Sequence, residues 1–411
     1  MNFTGILPGV LRLWAGILLV ASVPALVAPP ARADRVYLDV DAPHSGDAVA
    51  EPIALVEVKG WAGTGLRGKH DVVILLDRSA STFRSSGMDV NGDGRVGHDL
   101  PENIHEEVVT WTTDFGDTIV SAETLAARRL VERLDPETTR MAIVTFGGNA
   151  KLEAPLGSTR QQLLATLDAL PPRPNENGTY MYGAIEEAIN DLVNAPTEPG
   201  PKRQREILLL SDGVPTAPPI PWYAAQLTAV AAARNAARAS ARIYAYALGP
   251  EAAQDKDSFQ EIVDANGGEL TVLDAPGEIV EFVPYLSWTN IASVRLENTT
   301  SGENGRAVRL FPDGTFDGFA PLQNGRNELR FTAVSQAGAQ ATITRWVSFE
   351  KTLPDPEKLA RFRKLLEVRA VETELAERAR QKREQHQQKQ LEIQPTPGPA
   401  PTQPSPPPPS R

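Results

Sequence analysis

Between His70 and Ser287 four short, nearly unbroken apolar runs alternate with amphipathic stretches. The runs are DVVILLD (71–77), RMAIVTF (140–146), EILLLSD (206–212) and RIYAYALG (242–249). A strand exposed on one face alternates apolar with polar residues, so runs this continuous must be covered on both faces, as in a parallel sheet. The stretches between them, SAETLAARRLVERL, TRQQLLATLDAL, YGAIEEAINDLVNA and AAQLTAVAAARNAARAS, repeat apolar residues at three- and four-residue steps, the helical spacing. The alternation predicts a doubly wound α/β domain with a mostly parallel sheet over residues 70–288. Ligands bind such sheets at the carboxyl ends of the strands, and Asp77 and Asp212 both stand where a strand ends.

The flanks read differently. Residues 34–69 offer two strands, with Val56 and Val58 alternating against Glu57 and Lys59, and two strands alone are not stable in water. Residues 289–350 supply several more, at Val294 and Leu296, Val308 and Leu310, Leu329 and Phe331, and Ala341 and Ile343, separated by turns such as PDGTF and QNGRN. The stretch PDGTFDGFAPLQNGRNELRFTAV is similar to the bacterial immunoglobulin-like modules. The expectation is one immunoglobulin-like β-sandwich built from both flanks, with the α/β domain inserted into it. Insertion is tolerated where the inserted unit's ends lie close together. A separate small sandwich at 291–350, with an N-terminal hairpin docked elsewhere, is the alternative.

Residues 351–392 read as a charged helix with a broken apolar stripe of Leu359, Phe362, Leu366 and Leu375, solvated or docked on a partner. Residues 393–411 hold 9 prolines and read as an extended tail. At the other end, Arg12 precedes an apolar run from Leu13 to Val23, followed by prolines and Ala31-Arg32-Ala33, the layout of a signal peptide over residues 1–33. An uncleaved anchor helix is the competing reading, but Pro24 interrupts the run and a span needs about 20 apolar residues. After cleavage no membrane span is expected, and the protein is read as periplasmic or secreted. With 0 cysteines it forms no disulfide.

The formal net charge is −11, and loss of Arg12 and Arg32 with the signal segment makes it −13. Residues 351–411 carry 12 basic and 8 acidic side chains, so the body from 34 to 350 stands at −17. An acidic body repels polyanions, which argues against a nucleic-acid partner and suits divalent cations.

The strand HDVVILLD ends at Asp77, and Ser79 and Ser81 follow at two-residue steps. ENGTYMYGAI places Thr179 just ahead of a helix, and EILLLSDGVPT ends another strand at Asp212-Gly213. This set resembles the von Willebrand factor A domain of bacterial type, and the resemblance covers roughly residues 70 to 287. The resemblance assigns Asp77, Ser79, Ser81, Thr179 and Asp212 to a metal-ion-dependent adhesion site. Mg²⁺ or Mn²⁺ is the ion expected there, since Mg²⁺ takes six hard oxygens and keeps several waters, so hydroxyls and a few carboxylates suffice. The ion keeps a bias toward an incoming carboxylate, which the resemblance implies is supplied by a partner protein. Capping of the next element by Asp77 and Ser79 is the bland alternative, but capping does not call for Thr179 and Asp212 as well.

DVNGDGRVGHDL is a second pattern. Asp89, Asn91 and Asp93 alternate, Gly94 permits a sharp turn, and the Arg95 carbonyl follows, the first half of an EF-type Ca²⁺ loop. The twelfth position is Leu100 rather than glutamate, so closure falls to Asp99 or to Glu102. An Asx-rich turn without metal is the alternative. The loop belongs to a long excursion from Thr82 to Val120, read as a lid or a specificity loop.

Catalytic patterns are missing. The sequence has no G-x-S-x-G and no H-E-x-x-H, and its 5 histidines show no paired-ligand spacing and read as solvated. The sequence is therefore read as an exported, cation-dependent protein-binding module and not an enzyme. A scaffold of the cell envelope, recruiting through the C-terminal helix and tail, is the alternative.

Overall fold

The computed structural model describes residues 35–100, 112–171, 178–196, 202–217 and 221–393; the expected signal segment, Glu102 and the proline-rich tail lie outside them. The chain opens with strands β1 (Tyr37–Ala42), β2 (Ala48–Glu51) and β3 (Leu55–Gly63). The α/β domain follows as β4 (His70–Asp77), α1 (Ile119–Arg133), β5 (Thr139–Phe146), β6 (Ala150–Ala154), α2 (Arg160–Ala169), α3 (Met181–Asn194), β7 (Gln204–Ser211), α4 (Trp222–Arg238), β8 (Ala241–Leu248), α5 (Gly249–Gln254), α6 (Lys256–Asp264), β9 (Glu269–Leu273) and α7 (Ile279–Phe282). Strands β10 (Ile291–Asn298), β11 (Glu303–Asn304), β12 (Arg306–Leu310), β13 (Thr315–Pro321), β14 (Gly325–Ser335) and β15 (Gln340–Lys351) come next, and the helix α8 (Pro356–Ile393) closes the described chain.

The four apolar runs form the centre of a mixed sheet ordered β6-β5-β4-β7-β8-β9, parallel except for β6, which pairs antiparallel with β5. Both faces are covered, as the run composition demands. Val72, Ile74 and Leu76 point into a core shared with α1, α2 and α7, whereas Val73 and Leu75 point into one shared with α3, α4 and α6. The edge strands β6 and β9 escape the sequence reading because AKLEA and ELTVL are short and half polar. Chain order departs to opposite sides of β4, toward β5 and toward β7, and this reversal opens a crevice at the carboxyl ends of β4 and β7.

The flanks contribute to two shared sheets, β1-β3-β13-β12 and β11-β10-β14-β15-β2, with three strands before the α/β domain where two were expected. Val40, Val58 and Ala62 from the first flank lie in one core with Val294, Leu296, Phe316, Phe331 and Val347 from the second. The linkers entering and leaving the α/β domain touch, with Thr64 N donating to the Thr289 carbonyl at 3.0 Å. Asp313, 1 % exposed, joins the two layers of the molecule: Oδ2 accepts the Thr138 hydroxyl at 2.6 Å, Oδ1 accepts the Thr315 amide, and its carbonyl accepts Trp61 Nε1 at 2.9 Å.

Two expectations need correction. Helix α8 is not solvated along its length; it lies on its own chain. Phe362 meets Phe319 edge-on at 4.9 Å, Arg369 stacks on Phe319 and reaches Glu57 at 3.1 Å, Glu372 pairs with Arg309, and Lys382 pairs with Glu281 at 2.6 Å. Its inner face thus mixes apolar and charged groups, which is why an apolar stripe alone underestimates it. His70, read as solvated, is fully buried, its Nδ1 3.0 Å from Glu206 Oε1 and its ring 5.5 Å from Trp288. No helix among the described residues is long and apolar enough to cross a membrane.

Because Phe316 and Phe331 are buried in part by residues that precede the α/β domain, a fragment of residues 291–350 should show no cooperative thermal transition. In the full chain Asp313→Ala should destabilise by about 1–3 kcal/mol in urea unfolding, the cost of taking the carboxylate from the half-buried Thr315 amide and hydroxyl and from Thr138, whose hydroxyl keeps only the Asp135 carbonyl.

Candidate metal centre

As the inner strand β4 leaves the sheet, Asp77 is its last residue and is completely buried. Its Oδ1 accepts the Ser79 amide at 2.8 Å, bending the chain back, and its Oδ2 accepts the Ser211 hydroxyl from the end of β7. The bend carries Ser79 and Ser81 toward β7. Their hydroxyls stand 3.0 Å apart, and Ser81 Oγ donates to Asp212 Oδ1 at 2.8 Å. Thr179 arrives from the loop before α3 and is clamped to the loop after Asp212: its amide donates to Thr216 Oγ1 at 2.9 Å and its carbonyl accepts the Thr216 amide at 3.2 Å. A Cβ placed on Gly213 would lie 3.9 Å from both Ser81 Oγ and Thr179 Oγ1, so glycine leaves the space between the hydroxyls open. All five residues expected from the sequence therefore converge on one crevice.

Two residues at this crevice were not singled out from the sequence. Ser211 is one. The other is Glu123 on α1, fully buried, whose Oε2 accepts the Asp77 amide at 2.9 Å while Oε1 has no hydrogen-bond partner among the described residues. A signal existed: Glu123 sits three, four and seven residues before Ala126, Ala127 and Leu130, on the buried stripe of α1 where a carboxylate is out of place.

Burial without a counter-charge dominates the electrostatics. Loss of water pushes the Asp77 carboxyl up to about 6, and loss of water together with the Asp77 charge pushes Asp212 up to about 8. Desolvation, then the charges of Asp77 and Asp212, raise Glu123 well above the carboxylate range. Neither aspartate has an ion-pair partner among the described residues, and the neighbouring Arg84 is paired with Glu251. Two carboxylates and three hydroxyls form an oxygen-only set that suits a hard divalent cation, and a cation would relieve the repulsion among the buried acids. The residues present fit such an ion.

The Asp89 loop is built as an Asx-rich turn. Asp89 Oδ1 accepts the Gly92 amide at 2.7 Å and its Oδ2 the Gly94 amide at 2.9 Å; Asn91 Oδ1 accepts the Asp93 amide, and Asp93 Oδ1 the Arg95 amide. Asp99, expected to close the loop, has its Oδ1 accepting the Ser85 amide at 2.6 Å, and residue 99 forms an isolated bridge with Thr112. Asp114 approaches instead, its Oδ1 3.2 Å from Asn91 Nδ2. Asp117, fully buried, anchors the loop by accepting the amides of Val90, Asn91 and Gly97. No three acidic, histidine or cysteine side chains group as metal ligands among the described residues, here or in the crevice.

Residues 118–280 match the model of the von Willebrand factor type A domain family. The span takes in Thr179 and Asp212 but begins after Asp77, Ser79 and Ser81, which the structure adds by pairing β4 between β5 and β7. The α/β domain thus has a von Willebrand factor type A-like fold. Similar solved structures include an aerotolerance-related membrane protein from Bacteroides fragilis, with 15 % identity and TM-score 0.37 over 52 % of this chain and 96 % of that one. The von Willebrand factor domain of the type V pili tip protein Mfa5 from Porphyromonas gingivalis has 13 % identity and TM-score 0.35 over 53 % and 93 %. The manganese-loaded TRAP protein from Plasmodium vivax has 13 % identity and TM-score 0.34 over 73 % and 99 %. No curated protein matches the chain.

The raised carboxyls set a pH test. The fold holds protons on Asp77 and Asp212 that the unfolded chain releases near the ordinary carboxylate pKa of about 4, so their contribution to stability is complete below that pH. It is lost as pH rises through about 6 and about 8. In EDTA, urea unfolding of the wild type should therefore weaken more between these limits than that of Asp212→Asn, and Mg²⁺ should remove the difference by taking the place of the protons. Parallel profiles for the two proteins in EDTA would contradict the assignment.

Proposed function

We propose that the chain is an exported protein-binding module in which Asp77, Ser79, Ser81, Thr179 and Asp212 hold Mg²⁺ or Mn²⁺ and present it to a carboxylate on a partner protein. The observation that carries this reading is the meeting of two buried, cation-free aspartates with three hydroxyls in the crevice between β4 and β7. The bound ion would supply a positive centre with open coordination. The chain's own residues do the rest. Ser211 and the Ser79 amide fix the Asp77 carboxylate, Ser81 fixes Asp212, and Gly213 keeps the approach clear. The serine hydroxyls donate to the aspartates and the sequence carries neither G-x-S-x-G nor H-E-x-x-H, so binding rather than catalysis is the role assigned.

The Asp89 loop is proposed as a second site, for Ca²⁺, through Asp89, Asn91, Asp93 and the Arg95 carbonyl, with Asp114 in the closing role first expected of Asp99. Ca²⁺ takes six to eight oxygens at longer bonds than Mg²⁺, and exported proteins meet it at levels that fill sites with Kd on the order of 10⁻⁴ to 10⁻³ M. The immunoglobulin-like character of the sandwich is likewise our reading, as is export after removal of residues 1–33. A scaffold recruiting through α8 is less favoured, because α8 is already docked on Phe319, Glu57 and Glu281.

Asp212→Ala should weaken Mg²⁺ binding at least tenfold in calorimetry while leaving the thermal transition in EDTA in place; unchanged affinity would remove the site. Ca²⁺, and not Mg²⁺ alone, should protect the segment from Thr82 to Val120 in limited proteolysis, and Asp93→Ala should abolish that protection without changing Mg²⁺ binding. Equal cleavage with Ca²⁺ and with EDTA would leave the loop an ordinary turn.

A further inference from the structure

A cavity of about 920 Å³ opens one residue away from the metal ligands, between β5, β6, α2 and the start of α3. Arg78, between Asp77 and Ser79, and Tyr180, next to Thr179, both line it. Tyr180 and Tyr182 form one wall, their rings 6.0 Å apart and tilted by 48°. This wall is built rather than incidental. Tyr180 N donates to the Gly147 carbonyl at 2.7 Å, and the Tyr180 ring lies so close over Gly183 that a Cβ there would stand 2.3 Å from it.

The charges in the cavity are unequal in their availability. Lys151 pairs with Glu153 at 2.7 Å, and Arg78 is turned to the Pro171 carbonyl within the field of Glu123 and Glu153. Glu186 is met only by the neutral amide of Asn235 at 2.7 Å, and Glu187 has no hydrogen bond or ion pair among the described residues. Two tyrosine rings and two carboxylates that lack a cationic partner among the described residues line one cavity, the surroundings that a guanidinium or ammonium group prefers, since the ring quadrupole and the acids attract it together.

We infer that this cavity receives an arginine or lysine side chain of the protein partner, on the same segment whose carboxylate meets the metal centre. The inference deepens the proposed function and rests on it for the second half of the segment, but the cavity can be tested without metal. The recognised feature is then a pair of opposite charges: an acid for the ion and a base for the tyrosine wall. A purely acidic partner would satisfy only one of the two.

The test uses the full chain with N-acetyl-arginine amide as probe and N-acetyl-citrulline amide, its uncharged isostere, as control, followed by nuclear magnetic resonance titration. The arginine amide should bind about fivefold more tightly than the citrulline amide, in EDTA as well as in Mg²⁺. Glu187→Gln should bring the two probes to near equality, and Gly183→Ala, which forces the Tyr180 ring from its place, should weaken the arginine amide without disturbing the helix. Asp212→Ala should leave the preference intact. Equal binding of the two probes to the wild type, or a preference that survives both Glu187→Gln and Gly183→Ala, overturns the inference. Failure of the wild type to bind Mg²⁺, with its arginine preference retained, would sink the metal reading alone, so the two failures are distinguishable.

Discussion

Three acids share one buried corner of this molecule, and among the described residues no cation is paired with the two that stand at the strand ends. Asp77 and Asp212 are there because β4 and β7 are neighbours at the reversal of strand order, and Glu123 is there because α1 crosses beneath them. Like charges held without water repel strongly, and the surrounding architecture answers that repulsion with dipoles: the Ser79 amide and the Ser211 and Ser81 hydroxyls turn their hydrogens on the aspartates, and the Asp77 amide turns its own on Glu123. The corner remains short of positive charge. That shortage is what a hard divalent cation, held by the oxygens of the crevice, would relieve.

Much of this was readable from the chain. The four apolar runs determine the middle of the sheet, because residues such as Ile74, Leu75 and Leu209 have no polar neighbour to turn toward water. The five crevice residues, expected through the resemblance to the von Willebrand factor A domain, stand where strands or loops end and come together in the fold. What resisted reading was cooperation between distant pieces. The edge strands β6 and β9 are too short and too polar to announce themselves, and exist because β5 and β8 offer them a template. His70 looks like any loop histidine until Glu206 and Trp288, more than a hundred residues away, are folded against it. The bond from the Ser85 amide to the Asp99 carboxylate is likewise hidden from spacing along a loop.

The helix α8 shows the same limit at larger scale. Its sequence is charged and only weakly striped, which suggests exposure, yet Arg369, Glu372 and Lys382 are attachment points rather than decoration. By pairing with Glu57 and Arg309 in the sandwich and with Glu281 on α7, the helix crosses from one layer to the other, so the orientation of the crevice relative to the sandwich has a fastening besides Asp313.

The touching linkers, Thr64 against Thr289, have a mechanical meaning. A domain joined in series transmits any pull along the chain through its own core. Here the chain enters and leaves the α/β domain at one point, and the strands on either side of that point, β3 and β10, belong to a single sandwich core. Tension applied between the sandwich and the chain beyond it is carried by the sandwich strands and bypasses the inserted domain, which hangs from the load path like a tool from a handle. Only force applied directly at the crevice would load the α/β domain, and it would enter at the carboxyl ends of β4 and β7, the innermost strands of the sheet.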